Sequence, residues 1–556
     1  MNDMSRQTAI SRRNLIKGTA GVAVMSALGL APGCSPSGPA TTTPNEPRTL
    51  PERLSQHREI IIALDASTVS APFDPIQGWG GTGVNLFNSA LLATDENNEI
   101  VPDLATGYTI GEDKLTWVFT MRDDARFTSG AQVTAADVAF TYNQAKKTGK
   151  VSMPNFNEAV ATGERTVELR LSAPSSVLLY TTAVLGIVPQ AGYSDSYGDR
   201  PIGSGPWKLV DYIQGQQLII ERNDDYHGEK ARFARATILM MDTDACLAAA
   251  KAGNVDVACT YPNMSRQQVD GFTLTSLPTF DYRVISLPCQ RPGAWEVEGK
   301  PVGNAVTSDR ELRRAMALGL NRKQLVDDCL LGYGEVAFDM FDAFPWGIKQ
   351  DTADLKDGDV DSATRILDQA GWRPGAGGIR AKGDLRASFV LYYPPSDSAR
   401  QAIAEGFKAQ MQPLGIDVQL EGLDFTGIQE NNRVNAVVLG GGNLTPYNVY
   451  RQLASAGTRE KNWINIACYT NQAVDENLAL ALAATDTETA HKHWHDALWD
   501  GRTGGSILGD SPYLMCCYIK NNYFVRDGVD IGAQQVHPHN HFLHIIQNLH
   551  TWDVRL

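Results

Sequence analysis

The sequence predicts an α/β protein with more than one hydrophobic core. Its 556 residues exceed what a single core normally serves, so two or three core units are expected. The clearest unit is a strand at 389–393, a helix at 398–412 and a returning strand at 416–420. The helix carries apolar residues at four-residue spacing: Ala399, Ile403, Phe407 and Met411. Units of this kind build parallel sheets with ligand crevices at the carboxyl ends of their strands.

Residues 115–142 predict a strand, a turn and a capped helix. Large apolar residues alternate with smaller or polar ones in the strand: Leu115, Trp117, Phe119 and Met121. Ser129 and Gly130 supply turn chemistry. Thr134 lies three residues before Asp137, which predicts a reciprocal cap at the start of the helix.

The first 33 residues are typical of an export signal. Arg12 and Arg13 form a twin-arginine pattern, and an uncharged run too short for a membrane span follows, up to Gly33. Cys34 then resembles the cysteine of a lipoprotein cleavage site, so we expect it to be lipidated; the alternative is a cleaved signal with an incidental cysteine. Residues 34–54, rich in Pro, Ser and Thr, are predicted to form a flexible tether. These features predict an exported protein, periplasmic or on the outer face of the cell membrane, held by a lipid anchor.

Charge and cysteine content narrow the possible partners. The net charge is −14, which argues against nucleic acid as a partner, because phosphate binding needs a basic surface. Of the eight cysteines, seven remain if Cys34 is lipidated. An odd number without repeated spacing indicates neither a full disulfide framework nor a zinc ribbon.

The order of residue types in Trp117–Thr141 adds a family resemblance. W-x-F-x-x-R, F-x-x-G and A-x-D-V-x-F-T resemble the signature of the family 5 extracellular solute-binding proteins, the peptide and nickel receptors of ABC importers. Two further segments, 201–207 and 221–228, resemble a second block of that family. The resemblance implies two α/β lobes of the class II periplasmic-binding-protein type, with an extra subdomain in lobe one. It also implies a monomer that closes on its solute and delivers it to a membrane permease and its ATPase.

The resemblance implies boundaries for these parts. Lobe one is expected at 55–284, with the subdomain at about 88–199; lobe two is expected at 285–510. Residues 511–556 are expected to return to lobe one. Within lobe one, a glycine-rich loop at 78–83 contains Trp79, and a helix is predicted at 84–92. The loop can bring backbone N–H groups near a ligand, and Trp79 is a candidate cleft residue that could also simply pack.

The solute-reading segment departs from the family pattern. Peptide receptors of this family carry an Asp that pairs with the amino terminus of the peptide, and Asn443 stands at that position here. Gly441, Gly442 and Tyr447 of the same segment are further candidate contacts. A neutral amide lacks the charge-assisted bond that a buried ammonium needs, roughly 1.5 kcal/mol or more. A peptide or peptide-like solute is the family default, and a nickel or other metal chelate is the alternative.

A histidine run near the C-terminus motivates that alternative. In an extended segment His537, His539 and His541 would share one face at about 7 Å intervals. Neutral imidazoles suit nickel, copper or zinc. The competing interpretation is a polar turn whose histidines pack against Trp552 or bond to the backbone.

Catalytic motifs are missing from the sequence. It has no G-x-S-x-G elbow, no H-E-x-x-H helix and no P-loop, so we expect no enzyme activity and no required cofactor. Two remote alternatives are a peptide-binding chaperone or adhesin without a permease, and a metal-dependent hydrolase built on the histidine run.

Overall fold

The computed structural model describes residues 50–460 and 463–555. The predicted signal with Arg12 and Arg13, the predicted lipidation site Cys34, and the tether up to residue 49 lie outside the described residues. The last predicted tether residues belong to the folded protein instead, because Leu54 is fully buried and Arg53 pairs with Asp256. No helix in the described ranges is long and apolar enough to cross a membrane.

The first lobe is built on a seven-stranded sheet. Its central strand, Glu59–Asp65, is parallel to both of its neighbours, Arg235–Met241 and Val257–Thr260. Helix Thr243–Lys251 connects those two neighbours and packs on the sheet. In spatial order the strands are Phe272–Leu277, Asn521–Arg526, Val257–Thr260, Glu59–Asp65, Arg235–Met241, Gln217–Arg222 and Trp207–Ile213.

The second lobe is built on a six-stranded sheet. Strand Ser388–Tyr393, helix Ser398–Met411 and strand Asp417–Gly422 form the predicted parallel unit, which is confirmed. In spatial order the strands are Gly334–Glu335, Tyr513–Ile519, Tyr282–Ser286, Ala436–Gly441, Ser388–Tyr393 and Asp417–Gly422. The other α-helices of this lobe are Arg310–Gly319, Arg322–Cys329, Val360–Gln369, Phe425–Asn431, Tyr447–Leu453, Gln472–Ala483 and Thr487–Leu498.

A smaller four-stranded sheet forms the core of the subdomain. Its strands are, in order, Ala105–Ile110, Thr116–Met121, Thr166–Leu171 and Phe156–Ala161, and helix Ala135–Thr148 packs on them. The predicted cap is confirmed, since Thr134 and Asp137 bond each other's backbone N–H groups reciprocally. A short helix, Leu178–Val184, leads back toward the first lobe.

The predicted helix at 84–92 is wrong. These residues form irregular backbone that ends in strand Leu92–Thr94. Their carbonyl groups accept from distant segments: Phe87 O from Gly205 N, Leu86 O from Trp207 N, and Ser89 O from Ile187 N. Because tertiary partners satisfy the backbone, an apolar run that could have been helical stays extended.

Two crossings join the sheets, at 278–281 and at Lys520. Strand Tyr282–Ser286 already pairs in the second sheet, before the boundary predicted at 285. Strand Tyr513–Ile519 also belongs to that sheet, so the return comes after residue 519 and not at 511. Sequence pattern could not place these points, because short breaks such as 278–281 and Lys520 do not show which of the two sheets the following strand joins.

Candidate functional site

A cavity of about 200 Å³ lies between the subdomain and the second lobe. Gly78 and Gly81 of the glycine-rich loop form one wall, and the segment from Lys150 to Pro154 forms another. Residues of helix Leu178–Val184 close the subdomain side. The second lobe contributes Asn443, Leu444, Thr445 and Tyr447. A molecule in this cavity would contact both lobes.

The walls are mainly apolar with a few hydroxyl and amide groups. Among the residues that line the cavity in the described ranges, Lys150 is the one charged side chain, and there is no carboxylate. Burial raises the pKa of Tyr180 to about 12, so its hydroxyl stays a hydrogen-bond donor at neutral pH. Tyr447 stacks on Tyr450 with ring centres 5.2 Å apart, which orients its ring at the cavity wall.

The solute-reading segment contributes Asn443 and Tyr447 but not the two glycines. The side-chain oxygen of Asn443 accepts a hydrogen bond from the N–H of Leu444 at 2.7 Å. Gly442 has φ +143°, and a Cβ there would lie 2.0 Å from the carbonyl oxygen of Phe280. A Cβ on Gly441 would lie 2.6 Å from the hydroxyl of Tyr282. The two glycines therefore let their segment pass close to Phe280 and Tyr282, and neither glycine lines the cavity.

Trp79 is not a lining residue either. Its ring packs edge-on against Phe73, with centres 4.7 Å apart, and lies over Phe87. Both phenylalanines belong to the core of the first lobe. The side chain of Trp79 packs against this core, while Gly78 and Gly81 on either side of it line the cavity.

Two buried arginines converge at the carboxyl edge of the second sheet. Arg283 and Arg400 have 5% and 3% of their surface exposed. A Cβ on Gly440 would lie 2.5 Å from Nη2 of Arg400 and 2.7 Å from Nη1 of Arg283. The Nε atoms of both arginines are buried and have no hydrogen-bond partner among the described residues. Burial and then Arg283 lower the pKa of Arg400 to about 10.

Carboxylates offset part of this positive charge. Asp281 pairs with Arg283 and with Nδ1 of His539, the latter at 2.8 Å. Burial acts to raise the pKa of Asp281, but Arg283 and His539 outweigh it, and the pKa lies below its usual range. Asp397 Oδ2 lies 3.4 Å from Arg400 and 4.0 Å from Arg283. The carboxylate of Asp397 is thus shared between two cations.

The histidine run does not form a common face. His537 is fully buried, with Nδ1 3.2 Å from the amide nitrogen of Asn521 and Nε2 3.4 Å from Gln534 Oε1. Both ring nitrogens are used, so no lone pair is free for a metal. The backbone turns at His541 and Phe542, both with positive φ, which breaks the expected extended segment.

His539 and the exposed His541 lie together, with ring centres 4.9 Å apart. Among the described residues, no group of three or more His, Cys, Asp and Glu is placed to hold a metal ion. A metal at His539 and His541 would need ligands that the solute itself brings. The metal role of these two residues stays a prediction, and that of His537 does not fit its bonding.

A polar chamber of about 280 Å³ adjoins the cavity inside the first lobe, sharing Thr94 and Ala183 with it. His227 Nε2 lies 2.8 Å from Asp103 Oδ1 at its wall. The ring of Tyr226 lies between His227 and His550, at 4.7 and 6.3 Å between ring centres. The sequence analysis used the segment around His227 only for its family resemblance and missed this chamber.

Residues 99–461, more than half of the chain, match the bacterial extracellular solute-binding proteins, family 5, middle region. The chain belongs to this family. The solute-binding protein is 29% identical to protein XP55 of Streptomyces lividans over 490 residues, 84% of each chain. It is 24% identical to the oligopeptide-binding protein AppA of Bacillus subtilis over 484 residues, 82% of this chain and 84% of AppA. The nickel-binding periplasmic protein of Escherichia coli is 26% identical over 361 residues, which cover 62% of this chain and 67% of that protein.

Among solved structures, NikZ of Campylobacter jejuni in complex with Ni(L-His) superimposes with a TM-score of 0.75. The match covers 89% of this chain and 99% of NikZ at 19% identity. This likeness confirms the two-lobed α/β fold. Relatives of the solute-binding protein are thus receptors for peptides and for nickel, which confirms the function class that the sequence predicted.

Proposed function

We propose that this solute-binding protein captures a small anionic, peptide-like solute between its lobes and delivers it to the permease of an ABC importer. The observation that carries the proposal is the cavity lining: Lys150 is its one charged side chain among the described residues, and no carboxylate faces the solute. A cavity of about 200 Å³ suits a small molecule rather than an extended peptide.

The free amino terminus of an ordinary peptide finds no carboxylate among the described residues that line the cavity. Asn443 offers a neutral amide oxygen that already accepts from Leu444 N, and Lys150 would repel an ammonium group. Losing a charge-assisted hydrogen bond costs roughly 1.5 kcal/mol or more, which is about tenfold in affinity. Peptide-like solutes with a blocked or missing amino group are therefore favoured over peptides with a free one.

Lining residues on both sides of the cavity give the solute a way to stabilise closure. Lys150 belongs to the subdomain, whereas Asn443 and Thr445 belong to the second lobe. An anionic group that contacts both sides binds the closed form more tightly than the open one. A solute shifts the equilibrium only by this difference in affinity. The proposal therefore makes hinge closure a consequence of the negative charge of the solute.

A metal chelate is the second candidate, favoured by the exposed imidazole of His541 beside His539. A chelate brings its own carboxylates, which suit Lys150, and it needs one imidazole rather than three. Nickel or another metal would then be cargo, and the protein would need no cofactor of its own.

Location and partners follow from the N-terminal sequence and from the family. We propose export through the signal that contains Arg12 and Arg13, and lipidation at Cys34. The protein would act as a monomeric receptor without catalytic activity at the outer face of the membrane. A permease and an ATPase complete the importer.

Calorimetry on the purified protein tests the charge preference. A dipeptide and its N-acetylated form are titrated into wild type, Lys150→Gln and the control Lys147→Gln, whose exposed side chain lies on helix Ala135–Thr148 away from the cavity. We expect the acetylated form to bind more tightly, and Lys150→Gln to weaken it by roughly tenfold. Tighter binding of the free dipeptide, with no effect of Lys150→Gln, would refute the proposal. A parallel titration with the nickel–histidine complex tests the chelate candidate. This candidate requires that the complex binds and that histidine alone does not.

A further inference from the structure

Two cysteines of the first lobe face each other in its core. Cys246 lies in the first turn of helix Thr243–Lys251, and Cys259 lies in strand Val257–Thr260. Their sulfur atoms are 3.9 Å apart, and both residues have 0% of their surface exposed. Within the described residues, this is the cysteine pair whose sulfurs are in hydrogen-bonding contact.

The pair lies at the carboxyl end of the central strand of the first lobe. Cys246 Sγ lies 3.7 Å from the carbonyl oxygen of Leu64, at the carboxyl end of the central strand. Tyr261 follows two residues after Cys259, and its ring contacts Phe542 at 5.4 Å between ring centres. A covalent bond between the helix and the strand would therefore brace the backbone at this end of the first sheet.

We propose that Cys246 and Cys259 close to a disulfide when the chain meets a disulfide oxidant, while the other described cysteines remain thiols. A disulfide needs sulfur atoms about 2.05 Å apart, so each sulfur must move by about 1 Å. Side-chain rotation with a small shift of the helix on the sheet supplies this movement, since the two sulfurs already point at each other.

The reaction is thiol–disulfide exchange with a protein or small-molecule disulfide. One cysteine, as thiolate, attacks the oxidant, forms a mixed disulfide and releases one thiol. The second thiolate attacks the first protein sulfur and releases the other thiol. The two cysteines lose two protons and two electrons, and the disulfide of the oxidant becomes two thiols.

Burial sets when the exchange takes place. A mixed disulfide with the oxidant has no room in the packed core, and burial, followed by Cys246, raises the pKa of Cys259 far above its ordinary value. Exchange therefore occurs before the helix packs on the sheet, or during transient detachment of the helix in a chain that is already folded. Oxidation should be fast during refolding and slow in the native state.

Oxidative refolding of the full chain tests the proposal. Wild type, Cys246→Ala and the control Cys516→Ala, which removes a buried thiol of the second lobe, are reduced, unfolded and refolded with oxidised and reduced glutathione. Free thiols are alkylated in denaturant, and peptides are analysed by mass spectrometry without reduction. We expect a cross-linked peptide joining 246 and 259 in wild type and in Cys516→Ala, and none in Cys246→Ala.

A thermal scan provides a readout that does not depend on the variants folding. Wild type refolded oxidatively should melt several degrees above wild type refolded in dithiothreitol, which prevents the disulfide from forming. Full alkylation of Cys246 and Cys259 after oxidative refolding, a cross-link to another cysteine, or equal melting temperatures would each overturn the proposal. None of these measurements involves a solute, so the outcome is independent of the proposed transport function.

Discussion

The imidazoles of His537 and His544 form a buried pair in the first lobe, with ring centres 5.1 Å apart. His544 donates from Nε2 to Gln535 Oε1 at 2.8 Å, and its Nδ1 is buried without a partner. Burial lowers the pKa of His544 to about 3, and burial and then His544 lower that of His537 well below its ordinary value. We predict that His544→Gln makes stability less sensitive to mildly acidic pH, because the amide keeps a donor but does not titrate.

The sign and size of this effect follow from proton linkage. A histidine with a pKa near 6.5 when unfolded and near 3 when folded binds more protons in the unfolded state between these values. Its contribution is therefore fully present above pH 6.5 and is lost as pH falls toward 3. Between pH 7 and pH 5 the loss is about 2 kcal/mol for His544 alone, and this figure is the same for any folded pKa below about 4. His537 adds a loss of the same sign.

Urea unfolding at pH 7 and pH 5 measures the prediction. The free energy of unfolding of wild type should fall by about 2 kcal/mol more than that of His544→Gln over this interval. His57→Gln, a change at an exposed histidine, controls for the loss of an imidazole as such. Equal pH dependence in wild type and His544→Gln would show that the imidazole is not held neutral in the core.

Three further predictions concern the cleft, the crossing and the first lobe. Asn443→Asp should raise affinity for peptides with a free amino terminus by roughly tenfold and weaken binding of anionic solutes, as measured by calorimetry. Gly442→Ala should destabilise the protein by about 1–3 kcal/mol in urea unfolding, because its Cβ would meet Phe280 O; unchanged stability would mean that the crossing adapts freely. Asp256→Asn should cost about 3–5 kcal/mol, since the fully buried carboxylate pairs with Arg53 and Arg526, and a loss below 1 kcal/mol would contradict this.

Local patterns predicted the elements whose backbone partners are close in sequence. The capped helix that starts after Thr134 and the parallel unit at 388–422 form as expected, since their spacing and caps lie within a few turns of chain. The helix expected at 84–92 failed for the opposite reason: its backbone partners, such as Gly205 and Trp207, are more than a hundred residues away. The residue pattern within 84–92 contains no information about backbone partners so far away in the sequence.

The candidate site shows the same division. Asn443 and Tyr447 could be found because their segment corresponds to the solute-reading segment of the family's peptide receptors, and both residues line the cavity. Lys150 could not be found as a cavity residue, and the contact of Arg283 with Arg400 could not be found either, because each depends on the packing of segments far apart in the chain. The rule that ligands bind at the carboxyl ends of strands in α/β sheets points to Arg400 by itself, in the first turn of the helix after strand Ser388–Tyr393, but not to its neighbour Arg283.

By itself, the sequence determined the family, the α/β class and the departure at Asn443, because these depend on residue order and short-range spacing. Tertiary structure alone decided where Trp79 and the histidines point. Trp79 has an apolar ring that suits a cleft or a core equally, and the contact with Phe73 settles it for the core. The two ring nitrogens of His537 could bind a metal or form two hydrogen bonds. Here Nδ1 is hydrogen-bonded to Asn521 and Nε2 to Gln534. A side chain's chemistry sets what it can do, but its neighbours, drawn from distant parts of the chain, set which of these roles it performs.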